Sequence, residues 1–466
     1  MKLKNLLSFS LSCLCLIATA QTVPTGQRLK DINPAVLVGA VLQTGNNDTK
    51  NVLTANTPIQ NIFKREFNLG QATCYPAWDT WKGLKTYDFI EFNKSVNWFV
   101  ANNMPVVAHL LAGQDTYFPD WYKTATYTVD ELDSILEDYI RATITSNNNF
   151  DKVDYWNVVN ESLRWNGTYY NTNATDPGCK LQNLGYEADL SGLAGTNKVL
   201  TQHPVYIRKA FEYARKYTNK KLELRDYGAE FWGDAKTKAF YQLAKHLKNS
   251  GVPIDAVGLQ CHLDIGKTYD WSRLKQTIQE FRKLGLEVYL TEIDYADKLK
   301  LWSPAKAEIQ REQYKLMIKA AVEGGIQWIC FWGVRDNWNQ FWLYDNSPLL
   351  FANDLTTKTA YYGVQEGLTL STPLGIEAFD RDSKSLQIFP NPAKNSINFQ
   401  IEESLAIDCL VKIYNSNGTL ILEKKVASSN QNFQIVLPNG LSAGMYIVNV
   451  SLPNSEQNWS SKLIIE

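Results

Sequence analysis

Histidine is scarce in this chain of 466 residues: there are four, His109, His203, His246 and His262, and no two stand at metal-ligand spacing. No CxxC pair is present either, which argues against a zinc site. No Gly-rich turn follows the first candidate strand, so a dinucleotide cofactor has no fingerprint. No metal and no cofactor are expected. Basic runs are also missing: Lys+Arg number 47 against 48 Asp+Glu, a net charge of −1. Nucleic acid and anionic membrane are poor partners for such a surface. Past the N-terminus no apolar run reaches membrane-spanning length. What the chain does have is a 44% hydrophobic fraction, enough for a large core, with 14 Trp and 24 Tyr. Such rings suit sugar binding and core packing equally.

Residues 1–20 form a separate object. Lys2 and Lys4 precede the apolar stretch Leu6–Ile17, and Ala18-Thr19-Ala20 forms a small-residue cleavage pattern. This reads as a secretory signal. Five cysteines remain after it, Cys74, Cys179, Cys261, Cys330 and Cys409, an odd and scattered set that is no disulfide framework.

From Val36 to Gly333, short apolar runs alternate with amphipathic stretches. The runs are Val36–Leu42, Phe67–Ala72, Pro105–Leu111, Tyr155–Asn160, Leu222–Tyr227, Ala256–His262, Val288–Ile293 and Gln327–Gly333. Helical patterns separate them, including Asp88–Asn102, Val129–Ser146, Pro204–Tyr217, Lys236–Ser250, Trp271–Leu284 and Pro304–Glu323. Eight strands apolar on both faces, alternating with helices, predict an α/β fold, a closed (β/α)8 TIM barrel. The connection Arg164–His203 is unusually long and carries Trp165, Tyr169 and Tyr170, so it is either a substrate-contacting loop or an inert insertion. After Thr372-Pro373 short alternating strands with turn signals predict a small C-terminal β-sandwich. The expected division is 1–20 signal peptide, 21–371 barrel and 372–466 sandwich.

In a barrel of this kind, chemistry sits at the C-terminal strand ends. Glu161 closes the fourth run and Glu292 lies near the end of the seventh. Two carboxylates across one barrel mouth are the minimum set for cleaving a glycosidic bond: one protonates the leaving oxygen, the other attacks the anomeric carbon or activates water. Gln260-Cys261-His262 ends the sixth run, and Asp294 lies two residues past Glu292. A histidine between Glu292 and Asp294 could orient the nucleophile and keep it ionised. Asn160 could hold a sugar hydroxyl, and Trp332 could floor the site.

The stretches Trp156-Asn157-Val158-Val159-Asn160-Glu161, Gly258-Leu259-Gln260-Cys261-His262-Leu263, Leu290-Thr291-Glu292-Ile293-Asp294 and Phe331-Trp332-Gly333-Val334 resemble glycoside hydrolase family 10, mainly endo-β-1,4-xylanases. The likeness covers roughly residues 27–368. It implies a polysaccharide substrate, hydrolysis with retention, Glu161 as acid/base and Glu292 as nucleophile. It further implies His262 and Asp294 as support of that nucleophile, with Gln260, Asn160 and His109 touching sugar. Phe389-Pro390-Asn391-Pro392-Ala393, Ala443-Gly444-Met445-Tyr446-Ile447 and the terminal Lys462–Glu466 resemble the sorting domain of the type IX secretion system. That resemblance implies the secretion machinery as partner and a secreted or cell-surface location.

The departures bear on substrate. Where the family shows Glu-Asn and then Lys-Trp after strand two, this chain has Thr73-Cys74 and Ala77-Trp78. Gly113-Gln114 replaces a Trp-His pair, Arg225-Asp226-Tyr227-Gly228 replaces Asn-Asp-Tyr-Asn, and Arg335 is atypical. The second aromatic wall is Trp338 or Trp342. Xylan is the expected backbone. A different or decorated β-glycan, admitted by enlarged space at these positions, remains open, as do transglycosylation and a non-catalytic glycan-binding role.

Overall fold

The computed structural model describes residues 24, 26–42, 57–172, 178–193, 200–299, 302–336, 347–370, 386–401, 409–415, 419–426, 432–438, 440–451 and 458–465. The predicted signal segment lies outside them. The chain divides into two compact units, Met1–Pro373 and Leu374–Glu466.

The first unit contains eight parallel barrel strands: β1 (Leu37–Val41), β2 (Leu69–Thr73), β3 (Val106–Gly113), β4 (Tyr155–Asn160), β5 (Lys221–Asp226), β6 (Ala256–Leu259), β7 (Glu287–Ala296) and β8 (Trp328–Phe331). They pair in the order β6-β5-β4-β3-β2-β1-β8-β7, and β6 pairs with β7 to close the barrel. Closure buries both faces of a strand, which is why all eight residues of β3 are buried and why the runs read as apolar throughout. The base of the cylinder is filled by aromatic rings: Tyr289 stacks on Trp328 at 4.3 Å and meets Tyr155 edge-on at 5.5 Å.

The helices start where capping chemistry places them. Ser303 caps Pro304–Gly324 by accepting from the Lys306 N–H at 3.3 Å, with Pro304 in the first turn. Thr128 and Glu131 form a reciprocal capping box on Val129–Thr145. Helices Thr57–Glu66 and Thr359–Leu370, after the first and the last barrel strand, also belong to this unit. Among the described residues no helix is long and apolar enough to cross a membrane.

At two strands the departure from the predicted runs moves site residues. The sixth stops at Leu259, turns at Cys261 with φ +62°, and resumes as His262–Asp264. The seventh continues to Ala296, because that resumed segment gives it a partner in the register His262↔Asp294. Glu292 therefore lies inside β7, at a register irregularity between Leu290 and Ile293, rather than at its end.

The connection after β4 contains a small sheet among its described residues. A two-stranded hairpin, Tyr186–Ala188 with Gln202–Pro204, is clasped to helix Ala235–Asn249 by histidines. His203 and His246 stack at 4.1 Å, although nothing in their sequence spacing pairs them. His203 bonds Asp189 at 2.7 Å and Tyr169 at 2.6 Å, while His246 bonds Glu187 at 3.0 Å. Asp189, His203 and His246 bring potential ligand atoms within 4.8 Å of one another. However, His246 Nδ1 accepts from the Leu190 N–H at 3.0 Å, which leaves the ring proton on Nε2 for Glu187. A ring holding its proton there has no lone pair for a metal, so the group reads as a hydrogen-bonded clasp.

The second unit is antiparallel. One sheet runs Leu386–Phe389, Ser396–Ile401, Asn432–Val436; the other runs Leu420–Val426, Cys409–Asn415, Gly444–Ser451, Asn458–Ile465. Ile397, Phe399 and Ile435 of the first share a core with Val411, Ile413, Val448 and Val450 of the second, a small sandwich. All five cysteines after the signal segment are buried, and among the described residues no disulfide forms.

Candidate active site

Glu161 follows β4 with φ +52°, a left-handed conformation that a side-chain-bearing residue adopts at some cost. Its N–H donates to the Arg225 carbonyl at 2.9 Å, which fixes it to β5. The run beyond it is anchored to the same strand: Asp226 accepts from the Leu163 N–H at 3.1 Å and pairs with Lys236 at 2.7 Å. Lys236 also donates to the Leu163 carbonyl at 2.8 Å. Among the described residues the carboxylate of Glu161 accepts from Gln260 at 3.0 Å and Gln114 at 3.4 Å, lies beside the Tyr117 hydroxyl and interacts at longer range with Lys236. Amides carry donor and acceptor atoms alike, so they can serve both the ionised and the protonated acid.

Glu292 has the opposite environment. Its Oε1 accepts from Arg225 at 3.1 Å and its Oε2 from His262 at 3.3 Å. His262 in turn is hydrogen-bonded to Asp294, its cross-strand neighbour. Burial pushes His262 down, but the two flanking carboxylates outweigh that and raise its pKa well above the usual value, so it stands as an imidazolium between them. Burial likewise pushes Glu292 up, while His109, His262 and Arg225 together outweigh it and hold the carboxyl at about 2. Burial drives His109 itself down to about 3 despite the nearby Glu292 charge. Its Nδ1, 3.7 Å from Glu292, accepts from Arg225 at 3.1 Å, so at neutral pH the cations beside Glu292 are Arg225 and His262. Gln260 links the two glutamates: its carbonyl accepts from the Glu292 N–H at 3.1 Å and its side-chain amide donates to Glu161 at 3.0 Å.

Arg225 is the hub of this arrangement. Fully buried, it forms a two-pronged pair with Glu223, Nε to Oε1 at 2.7 Å and Nη2 to Oε2 at 3.1 Å. Its Nη1 faces Gln71 at 3.2 Å as well as His109 and Glu292. Gly258 makes this possible: a Cβ there would lie 2.0 Å from Glu223 Oε1. Sequence reading noted Arg225 only as a departure. The available signal was Glu223 and Arg225 at alternate positions of a strand that must be buried on both faces.

The other site residues fall as follows. Asn160 is buried and donates to the Tyr117 hydroxyl at 3.1 Å, while its own Oδ1 accepts from Gln260 at 3.3 Å. His109 is buried against Tyr75 and Trp332, edge-on at 5.2 and 5.5 Å. Trp332 is buried beneath His109 and His262. The Trp78 side chain, Trp338 and Trp342 lie outside the described residues. Of the other described tryptophans, Trp81, Trp156 and Trp328 are buried in the core.

The expectation of enlarged space needs correction at Gly113. Cys74 turns inward, its N–H bonded to the His109 carbonyl at 2.6 Å, and Tyr75 stacks on Tyr117 at 5.8 Å. A Cβ on Gly113 would sit 3.0 Å from the Tyr117 ring. The space left by the absent Trp is therefore filled by Tyr117, a residue that sequence reading passed over.

Residues 34–367 match the model of glycosyl hydrolase family 10, and residues 387–466 match a secretion system C-terminal sorting domain. The chain belongs to glycosyl hydrolase family 10 and carries that sorting domain at its C-terminal end. It is 26% identical over 314 residues to endo-1,4-beta-xylanase B of Thermotoga neapolitana, covering 66% of this chain and 82% of that one. Against endo-1,4-beta-xylanase A of Thermoanaerobacterium saccharolyticum it is 31% identical over 293 residues, 60% of this chain but 23% of that longer protein. Among solved structures, xylanase 10B from Thermotoga petrophila RKU-1 in complex with xylobiose superposes with a TM-score of 0.63 at 25% identity, covering 74% of this chain and 98% of that one.

Proposed function

We propose that this family 10 chain is a secreted, retaining endo-hydrolase of β-1,4 linkages in a xylan-type polysaccharide. Glu161 protonates the leaving oxygen while Glu292 attacks the anomeric carbon; Glu161 then takes a proton from the water that releases the glycosyl-enzyme. The observation that carries this reading is the electrostatic asymmetry of the two carboxyls. Glu292 is held ionised at about 2 beside two cations, as a nucleophile must be. Glu161 takes its hydrogen bonds, among the described residues, from two amides and lies beside a phenol, with no cation bonded to it. His262, fixed by Asp294, keeps the Glu292 carboxylate oriented and charged. Xylan as backbone rests on the named activities of the relatives. Export through a type IX system, with residues 1–20 removed as a signal peptide, fits the sorting domain.

The test is incubation of the full chain with a polysaccharide panel, following new reducing ends and, by proton NMR, the anomer formed first. The β-anomer from xylan is expected, with Glu292→Ala and Glu161→Ala folded but nearly without turnover. Wild-type rates in either variant, or the inverted anomer first, would refute the assignment.

A further inference from the structure

Both catalytic carboxyls depend on the short turn at Cys261. The residue before it serves Glu161, to which the Gln260 amide donates at 3.0 Å. The residue after it serves Glu292, which His262 Nε2 meets at 3.3 Å. Cys261 itself is buried and holds φ +62°, a left-handed conformation that a residue with a side chain keeps only when its surroundings impose it.

Two of the bonds that impose it come from β7. The Gln260 carbonyl accepts from the Glu292 N–H at 3.1 Å, and the Cys261 carbonyl accepts from the Asp294 N–H at 3.3 Å. The third comes from a side chain. β6 ends at Leu259, so the Cys261 N–H lies beyond the ladder and donates instead to Glu230 Oε1 at 2.9 Å. Glu230 stands in the turn after β5, only 3% exposed. Its Oε1 also accepts from the Gly228 N–H at 3.2 Å, which tethers the carboxylate to its own turn. The Gln260 carbonyl and the Cys261 N–H belong to one planar peptide group. That plane is therefore held between the main chain of Glu292 and the carboxylate of Glu230, each bond polarising the other.

We propose that Glu230 is a positioning residue for both catalytic groups: by holding the Gln260–Cys261 peptide it aims Gln260 at Glu161 and His262 at Glu292. The assignment rests on the roles proposed above for Glu161 and Glu292, and adds a residue that acts on them only through the backbone turn. Without an acceptor at position 230 the Cys261 N–H is a buried orphan, and relieving it relaxes the turn. Both neighbours then lose their aim together.

The test compares the full chain with Glu230→Leu, Glu230→Asp and Glu230→Gln on an aryl β-xylobioside from pH 3 to 8, with circular dichroism as the check of fold. Leu removes the acceptor, Asp keeps the charge but falls one methylene short, and Gln keeps both length and an acceptor oxygen. Leu and Asp are expected to lower kcat roughly tenfold to a hundredfold with KM little changed. They should also move the acid limb of kcat/KM up by about one pH unit, as Glu292 loses the hold of His262. Gln should restore most of kcat and the wild-type limb. Where Leu fails to fold, Asp carries the same test. A limb unmoved in a folded Leu or Asp variant overturns the proposal, and so does a Gln limb displaced as far as that of Leu. A second readout needs no turnover: the low-field imidazole proton that His262 shares with Asp294, assigned in the proton NMR spectrum by its absence from His262→Asn. It should shift in Leu and Asp and stay in place in Gln. Those shifts in a protein whose wild type cleaves no glycan keep the positioning role and discard the hydrolase reading. An unmoved proton in Leu and Asp, with an active wild type, discards the positioning role alone.

Discussion

Replacing Arg225 by Gln removes one of the two cations that hold Glu292 ionised. The contact is direct, Nη1 to Oε1 at 3.1 Å between fully buried groups. A hydrogen bond to a charged group contributes about 1.5–3 kcal/mol, and one pKa unit corresponds to about 1.36 kcal/mol. The Glu292 pKa, now about 2, should therefore rise by roughly one to two units, to about 3–4. The sign follows from the required form: Glu292 attacks only when deprotonated, so a raised pKa moves the acid limb of kcat/KM to higher pH. His262 and Asp294 remain, which is why the shift stops there.

The single variant strands Glu223 without its partner, a loss that costs about 3–5 kcal/mol in buried pairs. Glu223→Gln with Arg225→Gln removes both charges together and is the safer protein to measure. The assay is a pH–rate profile from pH 3 to 8 on a neutral xylo-oligosaccharide, with circular dichroism at each end. Wild type should stay nearly flat down to pH 3, while the acid limb of the double variant moves to higher pH. The move is smaller than the single replacement would give, because the opposing Glu223 charge leaves with Arg225. An acid limb superimposable on wild type, in a protein that stays folded, would refute the claim that Arg225 sets the charge of Glu292.

Two further outcomes are expected. Glu161→Ala should retain hydrolysis of an aryl glycoside with a good leaving group far better than that of xylan, because such a group departs without protonation; equal losses on both would remove Glu161 from the acid role. Gly258→Ala should lower the denaturation midpoint by the equivalent of about 1–3 kcal/mol, since the new methyl meets Glu223, which Arg225 holds in place; an unchanged midpoint would show that Glu223 yields.

The barrel was legible because each of its strands had to be buried on both faces, which leaves a run of apolar residues in the chain. The paired glutamates were legible because they follow or interrupt such runs. Three features were not. The extension of β7 depends on a second segment, His262–Asp264, that no local pattern announces. The stacking of His203 on His246 joins a hairpin to a helix through folding alone. Tyr75 and Tyr117 lie in turns with no periodicity, yet they close the space that missing side chains seemed to open.

The guanidinium hub joins side chains from separate staves of the cylinder: Gln71, His109, Glu223 and Glu292, with bare Gly258 making room. Exchanging Arg225 or Glu223 alone orphans a charge, and a side chain at position 258 collides with Glu223. Grafting a relative's residue into position 225 should therefore fail unless the others travel with it. Anyone re-engineering this interior must treat those addresses as a single cassette.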